Sequence, residues 1–361
     1  MTGDPKIRVG VLYGGRSAEH EVSVVSARGV MEALDRSKYE VVPIAITKGG
    51  RWMLPEKTPA ELEAPKGSLP GTGEAGTGVA LTREGGEAEL KPLEGSGGLG
   101  TIDVVFPVLH GPYGEDGTVQ GMLELAGVPY VGAGVLASAL GMDKEMQKQL
   151  FVSRGLPVVT NMHVHAEDWA RGAESLLEMA EDGIGFPCFT KPARMGSSIG
   201  VSKCGTVEEL RAGLELALTH DRKALVEKAI IGRELECAVL GNNEPEASIV
   251  GEIVPAHDFY DFEAKYIDSG SELKIPAPIP DDIAEEIRRL AIEAFRAIDC
   301  AGMARVDFFY DEGRGAIFLN EINTIPGFTP ISMYPKLWEA SGIPYSKLID
   351  RLIELALENA S

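Results

Sequence analysis

The run Arg305-Val306-Asp307-Phe308-Phe309-Tyr310-Asp311-Glu312-Gly313-Arg314-Gly315-Ala316-Ile317-Phe318-Leu319-Asn320-Glu321-Ile322-Asn323 reads as two strands, 303–310 and 316–322. The turn-rich segment Asp311 to Gly315 joins them, which predicts a hairpin. Successive strand side chains alternate between faces, so Arg305 with Asp307, and Glu321 with Asn323, each make a one-sided pair. Val306, Phe308, Phe309, Ile317, Leu319 and Ile322 imply that the hairpin is well buried. A salt-bridged, solvent-facing hairpin is the plainer alternative, but carboxylates buried at that density require a cation partner. Oxygen ligands on one face, with an Arg beside them, suit Mg²⁺ and nucleotide phosphates.

Upstream, the chain reads as alternating strands and helices. Ile7 to Leu12, Tyr39 to Ile46 and the nearly all-apolar Ile102 to Leu109 are strands. A helix near Ser23 carries Val24, Ala27, Met31 and Leu34 on one face, and a short helix runs from about Thr118 to Leu125. This is a doubly wound, parallel α/β pattern. The third strand leads into His110-Gly111-Pro112-Tyr113-Gly114-Glu115-Asp116-Gly117, a tight loop with a His and two carboxylates. Ligands of open parallel sheets bind at this end of the strands. Glu19 lies in the corresponding loop after the first strand, within reach of the same crevice. Together with the hairpin, the loop points to an ATP-dependent enzyme that activates a carboxylate. Residues 67–100 are rich in Gly and predict a partly mobile surface insertion with a small hairpin at Gly85-Gly86.

Downstream, Asp143 to Arg154, Ala173 to Ala180 and Val207 to Leu218 read as helices. Val158 to Val164, Cys188 to Lys191, Ala224 to Lys228, Glu234 to Leu240 and Glu252 to Pro255 read as strands, an α+β mixture. Asp281-Asp282 opens a helix whose inward face is Ile283, Ile287, Leu290, Ala294 and Phe295, and Leu348 to Leu357 is a terminal amphipathic helix. The segment from about 257 to 272, with Phe259, Tyr260, Phe262, Lys265 and Tyr266, reads as a closing lid. The chain is thus an α/β and α+β multidomain protein, expected to divide into residues 1–137, 138–231 and 232–361.

Lys191-Pro192-Ala193-Arg194-Met195-Gly196-Ser197-Ser198-Ile199-Gly200-Val201 is a candidate phosphate loop, because backbone N–H groups of such a loop can point at phosphate oxygens. Lys144 upstream strengthens it. Gly132-Ala133-Gly134-Val135-Leu136-Ala137 fits a dinucleotide-binding spacing, but no acidic residue follows at ribose distance, and close helix–strand packing explains it better. There is no Walker A sequence. A net charge of -21 argues against nucleic acid or anionic membrane as a partner. Cys188, Cys204, Cys237 and Cys300 form no C-x-x-C pair and read as buried small hydrophobes. With no apolar signal region and no membrane-length apolar run, a cytoplasmic protein is expected.

These segments resemble the D-alanine–D-alanine ligases of the ATP-grasp superfamily. The match is carried by Gly14 to Ser23, the His110 to Gly121 loop, Gly196 to Gly200, Tyr260 to Tyr266 and Arg305 through Gly327, in family order over nearly the whole chain. The resemblance implies an N-terminal Rossmann-like domain followed by a two-part ATP-grasp fold, with ATP between the central and C-terminal domains. One D-alanine carboxylate would be phosphorylated and the amine of a second D-alanine would attack the acyl phosphate, yielding the dipeptide for peptidoglycan synthesis. It implies that Glu19 holds the first D-alanine's ammonium with His110 close by, and that Ser332 and Met333 contact the second D-alanine. Lys144, Lys191 and Lys265 would bind ATP phosphates, with Glu227, Lys228 and Ile230 at the adenine and Glu234 at the ribose. Asp307, Glu321 and Asn323 would bind two Mg²⁺ ions, with Mn²⁺ as a substitute. Arg305 and the Gly327 N–H would stabilise the tetrahedral oxyanion, and Ser197, Tyr266 and Glu19 would link lid to site. A homodimer and a monovalent-cation requirement also belong to the family's range.

Met333 stands where Leu is common, a change of similar volume. The alternatives are a D-alanine–D-lactate ligase, against which Tyr266 speaks, and a non-catalytic ATP- or amino-acid-binding regulator, which would need a broken metal or lysine set. An NAD enzyme rests on Gly132 to Ala137 alone.

Overall fold

The computed structural model describes residues 5–63, 68–95, 97–255 and 272–359. The expected lid, with Lys265 and Tyr266, lies outside the described residues except for its last position. Three sheets organise the chain. The first is built from β1 (Ile7–Gly14), β2 (Tyr39–Ile46), β3 (Trp52–Pro55), β4 (Gly76–Glu84), β5 (Glu87–Pro92) and β6 (Val104–Val108), in the order β5-β4-β3-β2-β1-β6. β1 pairs in parallel with β2 and β6, as the apolar runs predict, and β3 to β5 extend the sheet antiparallel. Helix α1 (His20–Ala33) follows β1, and α2 (Thr118–Ala126) and α3 (Val135–Met142) follow β6. Ser23, in the first turn of α1, accepts from the Gly14 N–H at 2.7 Å and donates to the Val108 carbonyl, so one hydroxyl fixes both strand ends from which the site loops leave.

The Gly-rich segment contributes more sheet than its composition suggests. Its expected hairpin is present, with β4 and β5 meeting at Gly85-Gly86, and it adds two strands to the sheet. Val79, Ala88 and Leu90 are buried against Val42, Ile44 and Val105. Period-two placement of a few apolar residues supplied the anchor that a glycine count hides.

The second sheet is antiparallel, ordered β7-β10-β8-β9, from β7 (Asn161–His165), β8 (Cys188–Pro192), β9 (Ser202–Cys204) and β10 (Lys223–Lys228). Helices α5 (Ala166–Gly183) and α6 (Val207–His220) cover one face through Leu177, Ala180, Leu210 and Leu214. α4 (Lys144–Ser153), capped by the Asp143 side chain on the Met146 N–H, supplies Lys148 to Glu227 on the other face. β7 starts three residues later than expected, because Val158 forms a bridge to Leu319 of the third sheet. All four cysteines are buried and free, and the register sets Cys188 directly across from Cys204.

The third sheet, ordered β13-β12-β11-β14-β15, is antiparallel throughout. It comprises β11 (Arg233–Gly241), β12 (Glu246–Val254), β13 (Glu272–Lys274), β14 (Gly302–Asp311) and β15 (Ala316–Asn323). α7 (Asp281–Ala297) seals one face by packing Ile287, Leu290, Ala294 and Phe295 on Leu235, Cys237, Val239 and Val306. α8 (Met333–Ala340) and α9 (Tyr345–Asn359) close the other face, and α9 returns to α1 and β6, so one apolar core spans the first and third sheets. At their junction the ring of Phe328 meets Phe106 edge-on at 5.8 Å, Tyr334 at 5.7 Å and Tyr345 in a stack at 6.4 Å. Gly132 sits so close to Gly302 that a Cβ on Gly302 would lie 3.0 Å from the Gly132 Cα.

Because Phe328 is fully buried between the two sheets, Phe328→Ala is expected to cost about 3–5 kcal/mol and Phe328→Leu less. Urea denaturation checks this: equal midpoints for wild type and Phe328→Ala would refute the junction's importance.

Candidate active site

A cavity of about 840 Å³ opens where the three sheets meet. Its lining includes every described residue expected at the site: Glu19, His110, Lys144, Lys191, Ser197, Glu227, Lys228, Ile230, Glu234, Arg305, Asp307, Glu321, Asn323, Gly327, Ser332 and Met333. Lys265 and Tyr266 lie outside the described residues.

The floor is the cavity-facing side of the third sheet. Register puts Glu236 of β11 opposite Asp307 of β14, and Asp307 opposite Glu321 of β15, so three carboxylates stand in one row. The hairpin is as predicted, with a bulge after Asp307, but Phe309 faces the cavity while Phe308 is in the core. Adjacent strand residues cannot share a face. Like charges directly opposite one another repel, and two cations answer them. Arg305 donates Nε to Asp307 Oδ1 and Nη2 to Oδ2, both at 2.7 Å, and its Nε lies 3.1 Å from Glu236 Oε2. Lys144 Nζ lies 3.3 Å from Glu321 Oε2 and donates to the Met195 carbonyl at 3.0 Å. Burial would lower the Lys144 ammonium, but Glu321 outweighs it and holds the group above the ordinary lysine range. Asn323 Nδ2 donates to Asp307 Oδ2 at 2.9 Å.

Across the cavity, Glu227 is clamped between Lys191 at 2.7 Å and Lys148 at 3.1 Å. Burial alone would raise its carboxyl, but the two ammonium groups hold it below the usual range. Lys191 and Glu227, expected at opposite ends of a nucleotide, are therefore direct partners. Lys148 escaped the sequence reading. It is one helical turn from Lys144, the spacing that puts two side chains on one face, and burial pushes its ammonium down to about 8. Lys148 also donates to the Asn320 carbonyl at 2.7 Å, tying α4 to the hairpin.

The loop between β8 and β9 has Ser197 at φ 50°, Ser198 at φ 59° and Gly200 at φ 73°. Ser197 and Ser198 form a tight turn closed by the Ile199 N–H on the Gly196 carbonyl, followed by the Val201 N–H on the Ser198 carbonyl. Ser197 Oγ donates to the buried Glu19 carboxylate, joining the first and second sheets. Gly111 and Gly196 leave the room: a Cβ on either would lie 2.5 or 2.8 Å from Glu19 Oε2. His110 meets Glu115 through Nδ1 at 3.4 Å and Ser26 Oγ through Nε2 at 3.0 Å, while Ser26 accepts from the Phe328 N–H. Burial lowers the imidazole's proton affinity, but Glu115 and Glu19 reverse this and leave His110 above its ordinary range. A Cβ on Gly327 would lie 2.7 Å from Ser332 Oγ. Ser332 also accepts from the Thr329 N–H at 3.0 Å, a loop contact the sequence did not suggest.

The hard oxygen donors of Asp307, Glu321 and Asn323 fit Mg²⁺ in type. Among the described residues, no three His, Cys, Asp or Glu side chains converge on one metal-sized point. Arg305 and Lys144 lie against these carboxylates, so a divalent ion would share the carboxylate oxygens with them or displace them. Among the described residues no helix is long and apolar enough to cross a membrane.

Comparison with known proteins gives one family across the chain. A model described as D-ala D-ala ligase N-terminus matches residues 8–133, and one described as D-ala D-ala ligase C-terminus matches residues 150–354. The chain is 49% identical to a D-alanine–D-alanine ligase of Geobacillus thermodenitrificans, over 98% of this chain and 96% of that protein. It is 51% identical to one of Thermoanaerobacter sp., over 98% and 97%. Among solved structures, the D-alanine-D-alanine ligase of Coxiella burnetii superposes with a TM-score of 0.84 at 36% identity, covering 98% of this chain and 95% of that one. The VanG D-Ala:D-Ser ligase of Enterococcus faecalis superposes at 0.83 and 35%, covering 98% and 100%.

Glu115 is the largest of the influences that raise His110 against burial, so Glu115→Gln is expected to lower the His110 pKa, read from its Cε1–H resonance by NMR. A raised histidine contributes stability below about pH 6.5 that is lost as pH rises through the folded-state value, and this slope should flatten in the variant. An unchanged His110 titration would remove Glu115 as the cause.

Proposed function

Because this chain belongs to the D-alanine–D-alanine ligase family, we propose that its cavity joins two D-alanine molecules at the expense of ATP, through a D-alanyl phosphate, to supply a peptidoglycan precursor. It is an ATP-dependent ligase that forms a C–N bond. The observation that carries the site assignment is the carboxylate row of Asp307 and Glu321, interleaved with Arg305 and Lys144 on one sheet face.

In this reading the chain's own groups do four things. Lys144 and Lys191, with the backbone of the 196–200 loop, neutralise ATP phosphates, and Lys265 adds to them from the 257–272 segment. Glu227, Lys228 and Ile230 line the adenine end and Glu234 takes the ribose. Glu19 pairs with the ammonium of the first D-alanine, held in aim by Ser197 and beside His110, with Tyr266 joining the set, while Ser332 and Met333 border the second D-alanine. Arg305 and the Gly327 N–H then receive the charge that develops on the carbonyl oxygen when the second amine attacks. Phosphoryl transfer between two anions depends almost wholly on such positioning and charge neutralisation. Two Mg²⁺ ions, replaceable by Mn²⁺, would be held by Asp307, Glu321 and Asn323 and would supply further neutralisation of the phosphates. The reading includes a division into units 1–137, 138–231 and 232–361, a cytoplasmic location, a homodimer testable by light scattering, and a monovalent-cation response testable by exchanging K⁺ for Na⁺.

ATP-dependent phosphate release with Mg²⁺, measured with D-alanine, L-alanine, D-serine and D-lactate while product mass is read, tests the reading. D-alanine alone is expected to support turnover and to give a dipeptide mass. Depsipeptide or a D-alanyl-D-serine product in the mixed reactions, in preference to the homodipeptide, would reassign the acceptor. Absence of turnover with ATP still bound would favour a regulator. Asp307→Asn and Glu321→Gln are each expected to lower turnover by about 10²–10³-fold. ATP with Mg²⁺ should raise the melting temperature, and NAD should not.

A further inference from the structure

We infer that Glu236 is a positioning residue for Arg305, keeping the guanidinium at the reacting centre when Asp307 is taken by a divalent ion. The inference rests on the ligase reading above. As the structure stands, both carboxylate oxygens of Asp307 accept from Arg305. The two tasks proposed for this pair compete: a divalent ion drawn to Asp307 would meet the positive charge of the guanidinium against the same carboxylate, and the two N–H groups held on Asp307 are committed there rather than to an oxyanion. Something must hold Arg305 when the pair opens. An arginine released without a partner would gain side-chain freedom and lose its aim, at the cost of catalytic geometry.

Glu236 is built for that task. It stands next to Asp307 in the cross-strand row, on the side away from Glu321, and its Oε2 is already 3.1 Å from Arg305 Nε. Its side chain is 8% exposed. On its other flank, the residue opposite is Gly251, where Met333 and Leu337 fill the space that a side chain would take. That apolar wall gives the carboxylate no polar direction there, and the sheet fixes its backbone. Asp307 thus passes to the cation while Arg305 pivots on Glu236, and Nη1 and Nη2 are left to face the substrate. The sequence hides this: Glu236 lies two residues from Glu234, on the same strand face, but belongs to neither the metal nor the nucleotide set.

Two measurements test it. In Glu236→Gln, which keeps shape and removes charge, kcat for dipeptide formation is expected to fall about 10–100-fold. The KM values for ATP and D-alanine should stay within twofold. Affinity for a tetrahedral phosphinate analogue of the dipeptide, measured by calorimetry with ATP and Mg²⁺, should fall in the same proportion as kcat. In an Arg305→Ala background, Glu236→Gln should have no further effect. Normal kcat and analogue affinity, or an equal further loss in the Arg305→Ala background, would overturn the inference. Independently of any variant, a crystal structure of the wild type with ADP and Mg²⁺ is expected to show Arg305 released from Asp307 and hydrogen-bonded to Glu236. Arg305 still bidentate to Asp307, or detached from Glu236, would overturn it. If the wild type makes no dipeptide from D-alanine, the ligase reading itself fails, a result separate from normal synthesis by the variant.

Discussion

Carboxylates placed side by side on a buried sheet face repel, and the cavity is organised around answering that repulsion. Glu236, Asp307 and Glu321 stand in register on three neighbouring strands. Arg305 comes from two residues before Asp307 on β14, opposite Asn323, and Lys144 reaches the row from the first turn of α4. α4 must therefore lie across the hairpin, and Lys148, one turn on, pins it there through the Asn320 carbonyl and Glu227. Breaking one member of such a set leaves an uncompensated buried charge, which is why the second and third sheets meet in one geometry around the cavity.

The first sheet joins through a different bond type. Ser197 of the β8–β9 loop donates to Glu19, and the chain His110–Ser26–Phe328 N–H runs from the end of β6 to the loop after β15. Each is a polar link across a sheet junction, with the aromatic cluster of Phe106, Phe328, Tyr334 and Tyr345 behind the second. The apolar core supplies non-directional stability, and the polar links set the orientation. A site that must present an amine, a carboxylate and a triphosphate to one another needs both, since small misplacements of reacting groups lower rates steeply.

The overlap of lysine and arginine duties also has a chemical consequence. With a net charge of -21, the chain concentrates cations in the cavity, where they balance its own carboxylates. In the proposed reading, a nucleotide phosphate entering this cavity would compete with those carboxylates for the same cations. Divalent ions held by the carboxylates would, in the same reading, free Lys144 and Arg305 for the incoming anion, so metal and nucleotide would assist one another in binding.

Part of the site was legible in the sequence because strand alternation puts Arg305 with Asp307, and Glu321 with Asn323, on one face each; the bulge after Asp307 is what sets the two pairs on the same face, and the sequence did not show it. The helix faces at 281–297 and 345–359 were equally readable from their apolar spacing. Composition misled at 76–92, where a few alternating apolar residues outweighed many glycines. Local pattern carries no information about which sheet a residue will meet, so three features waited for the tertiary structure. These are the pairing of Lys191 with Glu227, the burial of Lys148, and the presence of Glu236 beside Arg305. The sequence by itself determined the elements, their faces and the donor types, because those follow from backbone periodicity and residue chemistry. Only the tertiary structure decided which charges neutralise which, because that depends on distances between segments far apart in the chain.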